Sequence, residues 1–212
     1  MNATDPNTRF WNREARKYAA SPIGDPDGFE RTLKRTQDYL KPGDAVFEFG
    51  CGTGTAALKL APFAGRILAT DGSDEMIAIA REKAAAEGCT NAEFEVGTPD
   101  DPRWPAAAFD SAIGFNILHL IRDRVAALAG LHRVLKPGGL LITKTVSLTE
   151  MNPAIRLAVP VMRAIGKAPY VAFVSEAALV SEIETAGFGI IARERHAARG
   201  KDVRPFLVAR KN

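Results

Sequence analysis

The residues best suited to chemistry lie in the segment AVFEFGCGTGT, which occupies positions 45–55. Its apolar half predicts a short strand, and its three alternating glycines predict a tight turn that leaves space for a ligand against the backbone. The helix predicted from about Thr55 offers free amide groups and partial positive charge at its start. Asp71 ends the next predicted strand, 23 residues after Glu48, where nucleotide-binding sheets place the acid that holds a ribose diol. Together these features predict a cradle for a nucleotide or nucleoside.

The spacing of the glycines decides between these ligands. A dinucleotide-binding turn follows the pattern G-x-G-x-x-G, which would need a glycine where this chain has Thr55. The segment EFGCGTG instead places Glu48 two residues ahead of Gly50, and it resembles the first motif of the class I S-adenosylmethionine-dependent methyltransferases. S-adenosylmethionine has no phosphate but carries an ammonium and a sulfonium, so an acid beside the turn suits it electrostatically.

The resemblance is close to the small type 11 methyltransferases and covers about residues 44–146. FDSAIGFNILHL at 109–120 resembles the fourth motif of the family, and RVLKPGG at 133–139 is a further family signature. The resemblance implies bound S-adenosylmethionine, S-adenosylhomocysteine as product, and a set of cofactor contacts in this chain. Those expected contacts are Tyr18, Glu48, Gly50, Cys51, Gly52, Asp71, Gly72, Met76, Thr98 and Asn116.

Recognition of the adenine is expected to depart from the family pattern. Many relatives carry an acid where this chain has Thr98, and the next residue, Pro99, has no N–H to donate. Either Thr98 takes that contact or Asp100 reaches into the site. Met76 holds the family position against the adenosine, with simple core packing as its alternative, and Asn116 is expected to bind the ammonium.

His119 is the candidate for a general base. Displacement at a sulfonium methyl depends mainly on alignment and on exclusion of water, whereas a hydroxyl acceptor would also need a group that takes a proton. His119 ends the fourth predicted strand and is the best placed of the three histidines, although packing beside Leu118 and Leu120 is the alternative. Two other functions stay open: an S-adenosylmethionine-binding interaction protein without transferase activity, and an NAD-dependent oxidoreductase, which Thr55 disfavours.

The order of the predicted elements indicates an α/β fold, a doubly wound and mostly parallel sheet of seven strands with an antiparallel C-terminal strand. The ligand site is expected at the switch point beside the first strand. We expect one domain over 1–212, with an N-terminal helical lid at 1–43, a cofactor-binding core at 44–146, an acceptor-site insertion at 147–174, and the last helix and C-terminal hairpin at 175–212.

Several helices are predicted from apolar spacing. One covers 10–18, with Trp11, Ala15 and Tyr18 on its inner face, and a second covers 29–40. A third covers 123–135, with Val125, Leu128, Leu131 and Leu135 turned inward. It contains Gly130, where relatives commonly carry Glu, and it leads through a tight turn at 135–139 into a strand at 140–146.

The segment 151–165 is predicted as a helix that Pro153 and Pro160 kink or split. Its apolar face carries Met151, Ile155, Val159, Met162 and Ile165. This face is expected to form a wall for a hydrophobic acceptor, to pack on the sheet, or to touch a membrane or partner surface.

Composition limits the remaining function classes. Hydrophobic residues make up 46% of the 212-residue chain and charged residues 25%, which is typical of a soluble globular domain. Two cysteines, Cys51 and Cys89, indicate neither a disulfide framework nor a metal cluster and favour a cytoplasmic protein. The polar residues 1–9 predict no signal peptide, and no uncharged apolar run approaches the ~18 residues of a membrane span.

The C-terminal residues 193–212 contain seven Lys or Arg against two Asp or Glu. A solvated hairpin explains this charge, and attraction of an anionic acceptor is the more specific alternative. Nucleic acid is not expected as a partner, because the basic segment is short and lacks interleaved aromatic residues. The expected partner is a small-molecule acceptor; peripheral membrane contact stays open, and the sequence predicts no oligomeric state.

Overall fold

The structure is a computed structural model that describes residues 5–151, 154–198, 200 and 202–212, with the backbone alone at 155–157. Seven strands form one sheet in the order β3-β2-β1-β4-β5-β7-β6. The strands are β1 (Ala45–Phe49), β2 (Arg66–Asp71), β3 (Ala92–Val96), β4 (Phe109–Phe115), β5 (Leu135–Lys144), β6 (Phe188–Glu194) and β7 (Phe206–Lys211).

The first five strands are parallel, and β7 runs antiparallel to both β5 and β6. The predicted seven-stranded sheet with an antiparallel C-terminal strand is therefore confirmed. The chain moves from β1 outward to β3 and then returns to β4 on the other side of β1. The ends of β1 and β4 thus border the switch point at which α/β sheets bind ligands.

Seven α-helices accompany the sheet in the described part of the chain. They are α1 (Pro6–Ala20), α2 (Pro26–Gln37), α3 (Thr55–Leu60), α4 (Asp74–Glu87), α5 (Arg124–Val134), α6 (Ala154–Ala164) and α7 (Glu176–Thr185). Ser73 and Ser175 are the N-caps of α4 and α7, and each accepts a hydrogen bond from the amide three residues later, which satisfies one of the free donors at a helix start.

The core has a layer on each face of the sheet. On one face Val46 and Ile142 pack against Leu33 of α2, with α3 and α4 beside them. On the other face Phe47 packs with Leu131 of α5, and α7 completes this layer. All five residues of β1 are buried, as expected for a central parallel strand covered on both sides.

Helix α5 corrects one expectation and explains one unusual residue. Val125 is 76% exposed, so its predicted inward position is wrong, whereas Leu128 and Leu131 are buried. Gly130 has a structural reason: a Cβ atom there would lie 2.2 Å from the carbonyl oxygen of Pro99. Glycine therefore allows α5 to approach the loop after β3.

The turn at 135–139 belongs to β5 in the structure. Leu135 already pairs with Phe109, and the register then shifts so that Ser111 pairs with Leu140. The residues between Leu135 and Leu140 bulge out of the ladder, with Gly138 at a φ of +74°. The predicted strand start at 140 was wrong, because this segment bulges and then rejoins the same strand.

The two N-terminal helices differ from their predicted bounds, since α1 is longer than 10–18 and α2 ends before 40. Ala15 of α1 is buried against Met76 and Ile79 of α4, with Trp11 packed beside them. Tyr18 is 53% exposed. Trp11 and Ala15 therefore lie on the inner face of α1 as predicted, whereas Tyr18 is largely exposed.

The apolar side chains of this segment are partly exposed. Val161 and Met162 of α6 are 63% and 42% exposed, and Ile165, just after the helix, is 61% exposed. Met151 and Val159 of the predicted apolar face are half-buried. Pro153 and the side chain of Ile155 lie outside the described residues. Among the described helices, none is long and apolar enough to cross a membrane.

Candidate active site

The glycine turn after β1 has the backbone geometry that its sequence predicts. Gly50, Gly52 and Gly54 have φ values of +67°, +54° and +77°, a region that side chains disfavour. A Cβ atom at Gly50 would lie 2.3 Å from the Ile117 side chain, and one at Gly54 would lie 2.7 Å from the Phe94 ring. At Gly52 the same atom would meet only the Tyr18 ring, at 3.8 Å, so the backbone here is open to a ligand.

Asp71 lies at the end of β2, directly beside this turn. The Gly52 amide donates to its Oδ2 at 2.9 Å, and the Ser73 amide donates to its Oδ1 at 2.9 Å. Burial raises the pKa of Asp71, although these two amides act in the opposite direction. The carboxylate is therefore fixed in orientation while each oxygen keeps a further acceptor position for a ligand hydroxyl.

Glu48 lies within β1 and is 2% exposed. Its Oε2 has no hydrogen-bond partner among the described residues. Burial, with a smaller contribution from the charge of Asp71, raises the pKa of Glu48 to about 8. A buried carboxyl with an unpartnered oxygen is costly, and a bound cation would relieve that cost by pairing with the ionised form.

The end of β4 supplies two more predicted site residues. Asn116 has a φ of +55°, and its amide donates to the Lys144 carbonyl oxygen at 2.6 Å. His119 follows in a short 3-10 turn, 118–120. It is 9% exposed, and its Nδ1 has no partner among the residues that the structure describes. Burial lowers its pKa to about 4, so the imidazole is neutral at pH 7.

Two cavities meet at the carboxyl ends of these strands. The larger has a volume of about 460 Å³ and the smaller about 300 Å³. Both are lined by Tyr18, Gly50, Gly52, Phe115, Asn116 and Arg204. This shared wall makes them two compartments of one cleft at the switch point of the sheet.

The cleft brings together the ten predicted cofactor contacts and His119. Glu48 and Cys51 line the smaller cavity, and Tyr18, Gly50, Gly52 and Asn116 line both. The larger cavity is lined by Asp71, Gly72, Met76, Thr98 and His119. Asp100 is exposed and lies outside both cavities, so Thr98 remains the candidate of the two for the adenine contact.

Sequence reasoning missed several cleft residues. The larger cavity is also lined by apolar side chains that include Ile121, Val146 and Val171. The smaller cavity is also lined by polar groups from distant segments, namely Asp25, Thr32, Lys83, Lys144 and Arg204. One signal was available: Lys144 is the only charged residue in the otherwise uncharged stretch 139–147.

Comparisons with known proteins agree with this geometry. Residues 46–139 match the family model described as a methyltransferase domain. A malonyl-[acyl-carrier protein] O-methyltransferase from Serratia marcescens is 30% identical over 147 residues, which are 68% of this chain and 55% of that protein. The ubiquinone/menaquinone biosynthesis C-methyltransferase UbiE from Marinomonas sp. is 30% identical over 131 residues, 58% of this chain and 52% of that protein.

The chain belongs to the class I S-adenosylmethionine-dependent methyltransferase family. It spans about half the length of these two curated relatives. Solved structures show the same methyltransferase fold. An S-adenosylmethionine-dependent methyltransferase from Aquifex aeolicus has a TM-score of 0.73 and 21% identity, with 98% of this chain and 99% of that chain covered. The [4+2]-cyclase SpnF has a TM-score of 0.72 and 20% identity, with 86% and 80% covered.

The residues of this cleft fit the cofactor of the family. S-adenosylmethionine has a ribose diol, an ammonium and an uncharged adenine. Asp71 offers two fixed acceptor oxygens for the diol, and the unpartnered oxygen of Glu48 suits the ammonium. In the described part of the chain, no three His, Cys, Asp or Glu side chains are arranged to hold a metal ion.

Proposed function

We propose that this protein transfers a methyl group from S-adenosylmethionine to a small-molecule acceptor with a hydrophobic portion. The observation that carries the proposal is the position of two acids, Asp71 and Glu48, on neighbouring strands around one glycine turn. One acid is fixed for a diol, and the other lacks a partner for its buried oxygen. A dinucleotide would instead place a pyrophosphate at the glycine turn beside Glu48, and ionised Glu48 would oppose that negative charge.

The cofactor, when bound, supplies an electrophilic methyl group on its sulfonium. Asp71 would hold the ribose, and Glu48 would lose its proton and pair with the ammonium. Asn116 lies in the wall that both cavities share, where it suits the methionine end. Rigid placement of one reactant beside the other contributes a large part of the rate in such a displacement.

Helix α1 is proposed as the lid of the cleft. Asn7, Thr8, Trp11 and Tyr18 all line the larger cavity, so the inner face of α1 forms one of its walls. The Trp11 and Tyr18 rings lie 6.0 Å apart in an edge-to-face arrangement, which is favourable for aromatic pairs. This aromatic wall would exclude water from the reacting atoms.

The acceptor is proposed to bind at the far end of the larger cavity. Val146, Pro169 and Val171 line this cavity, and the last two support the assignment of 147–174 as an acceptor-site insertion. These apolar walls favour a hydrophobic acceptor. The described residues of α6 do not line this cavity, so the end of the insertion, rather than its helix, provides the support.

His119 is proposed to orient an acceptor hydroxyl in the larger cavity. Its neutral imidazole has an unpartnered Nδ1, which can accept a hydrogen bond if the proton is on Nε2. With a pKa of about 4, the residue holds a proton poorly at pH 7. This role therefore suits an acceptor that is already acidic or nucleophilic.

Isothermal titration calorimetry tests the cofactor site. We expect the wild type to bind S-adenosylmethionine and not NAD. Asp71→Ala should weaken S-adenosylmethionine binding about 100-fold, because the fixed diol acceptor is lost and two amides lose their partner. Asp74→Ala is the matched control, since Asp74 is an exposed acid in the first turn of α4. Equal binding by both variants would contradict the proposal.

The same residues would also serve an S-adenosylmethionine-binding protein without transferase activity. Release of S-adenosylhomocysteine in the presence of a metabolite panel separates the two functions. Product formation that requires both the wild-type protein and one acceptor supports methyl transfer. Tight cofactor binding without product on any acceptor would favour the binding protein.

A further inference from the structure

The inner end of the smaller cavity contains a buried lysine. Lys144 is 7% exposed at the end of β5 and lines this cavity. Its Nζ donates to Thr32 Oγ1 at 2.9 Å. Among the described residues this is the only hydrogen bond that Nζ makes. The Asp202 carboxylate lies 4.0 Å from Nζ, which is beyond hydrogen-bond distance. An ammonium has three N–H donors, so Lys144 keeps donors for a ligand.

The nearby carboxylates are already occupied by backbone amides. Asp202 accepts from the amides of His196, Ala197 and Arg204 at 2.8, 2.8 and 2.9 Å. Asp25 accepts from the amides of Gly28 and Ala198 at 3.0 and 3.1 Å. These hydrogen bonds lower the pKa of both acids. The two acids hold loops in place, and Asp202 pairs with Lys144 only at 4.0 Å, without a hydrogen bond.

A second cation faces the same space. Arg204 lines both cavities, and its side chain is 37% exposed. Its Nε lies 4.0 Å from Asp202 Oδ1, which is also too long for a hydrogen bond. A buried charge without a hydrogen-bonded counter-ion is costly, and Lys144 is the buried one of the two cations. Lys144 and Arg204 share one carboxylate, Asp202, at 4.0 Å, and both line the smaller cavity, which indicates a site for an anionic ligand group.

We propose that Lys144 and Arg204 bind a carboxylate of the methyl acceptor. This inference rests on the proposed function and names the acceptor class: a small molecule with an apolar portion and a carboxylate. Because Arg204 and Asn116 line both cavities, one molecule can place its apolar portion in the larger cavity and its carboxylate in the smaller. Arg and Lys together match the two oxygens of a carboxylate.

The cofactor also has a carboxylate, on its methionine end. Lys83 suits the carboxylate of the cofactor better than Lys144 does. Lys83 lines the same cavity on the side of the glycine turn, where its Nζ donates to Thr53 Oγ1 at 2.9 Å and to Thr55 Oγ1 at 3.2 Å. Lys144 is instead anchored to Thr32 of α2. The Lys144 side of the cavity is therefore assigned to the acceptor.

The test measures binding to the protein loaded with S-adenosylhomocysteine. The probes are benzoate and phenylacetate, each compared with its primary amide of nearly the same shape. We expect the wild type to bind the acids about tenfold tighter than the amides. In Lys144→Met this ratio should fall to about one, and in Lys144→Arg, which keeps the charge, most of the preference should remain.

Lys136→Met is the matched control, because Lys136 lies at the opposite end of β5 and pairs with Asp110. It should keep the preference for acids. Thermal unfolding of each variant confirms that it is folded. Equal binding of acids and amides by the wild type, or binding of neither, would overturn the proposal, as would an unchanged ratio in Lys144→Met.

Two cofactor compounds separate the sources of the carboxylate. Methylthioadenosine lacks the amino-acid end of S-adenosylmethionine. If Lys144→Met weakens binding of S-adenosylmethionine but not of methylthioadenosine, Lys144 holds the carboxylate of the cofactor and the acceptor assignment is wrong. Unchanged binding of both compounds supports it. Failure of the wild type to bind S-adenosylmethionine would instead refute the proposed function itself.

Discussion

The two cavities of the cleft are lined by different kinds of groups. The larger cavity is bounded on the cofactor side by main chain held in left-handed conformations and by an acid that backbone amides fix, Asp71. The smaller cavity is defined by buried ionisable side chains, Glu48 and Lys144, which come from different strands. The local sequence encodes the backbone geometry of a turn. It does not show which charged side chains from distant segments come together in one cavity. The first compartment and Glu48 can therefore be recognised in the sequence, whereas the Lys144 side of the second needs the structure.

The largest expected effect concerns the backbone of the glycine turn. Gly54→Ala should reduce the free energy of unfolding by about 3 to 4 kcal/mol, because the new methyl group would meet the Phe94 ring at 2.7 Å in addition to the strain of a positive φ. Gly88→Ala is the matched control, since Gly88 has a φ of +64° with nothing within 4 Å. It should cost about 1 kcal/mol. Urea unfolding measures both values.

Equal losses in these two variants would show that strain alone, rather than close packing, requires glycine in the turn. The larger cavity would then depend less on its backbone than the structure indicates. A difference of about 2 kcal/mol would instead assign the larger part of the loss to the packing of Phe94 in β3 and Ala80 in α4 against the turn.

The fold was predictable because its signals are local. The order of the predicted elements indicated the seven-stranded sheet, and the spacing from Glu48 to Asp71 marked the cofactor side. The features that were not predicted correctly depend on tertiary contacts. The outward position of Val125 depends on the orientation of α5 over the sheet. The role of Gly130 depends on its contact with Pro99, a residue from a different element.

The acceptor side was less predictable for the same reason. The apolar spacing of 151–165 correctly indicated a helix, but periodicity does not show what a helix packs against. Arg204 appeared only as part of a basic tail, and Lys144 as one residue in a strand. Their common cavity exists because β7 pairs with β5, where Lys144 lies opposite Phe206.

The next prediction concerns the acid of the smaller cavity. The pKa of Glu48 is about 8 in the folded protein, above its usual value of 4.5. A raised pKa gives stability that is complete below pH 4.5 and is lost as the pH rises toward 8. Without cofactor, Glu48→Gln should therefore be more stable than the wild type at pH 8, by about 2 to 3 kcal/mol. The gain should shrink toward pH 4.5.

Urea unfolding of the unliganded protein across this pH range measures the effect, and Glu93→Gln, at an exposed position of β3, is the control. The same Glu48→Gln variant should bind S-adenosylmethionine about tenfold more weakly, because the neutral amide cannot pair with the ammonium. A variant that is both less stable at pH 8 and unimpaired in binding would show that Glu48 is a structural residue.

The smallest expected effect concerns His119 in the larger cavity. His119→Ala should lower turnover on a hydroxyl acceptor about tenfold while leaving S-adenosylmethionine affinity unchanged, because the acceptor loses one hydrogen bond. Since the wild-type pKa is about 4, the rate profile should show no inflection from this histidine near pH 6.5. His119→Gln, which keeps a side-chain acceptor, should recover part of the rate. Unchanged turnover in the alanine variant would remove His119 from the mechanism, and the larger cavity would then act through its backbone and apolar walls alone.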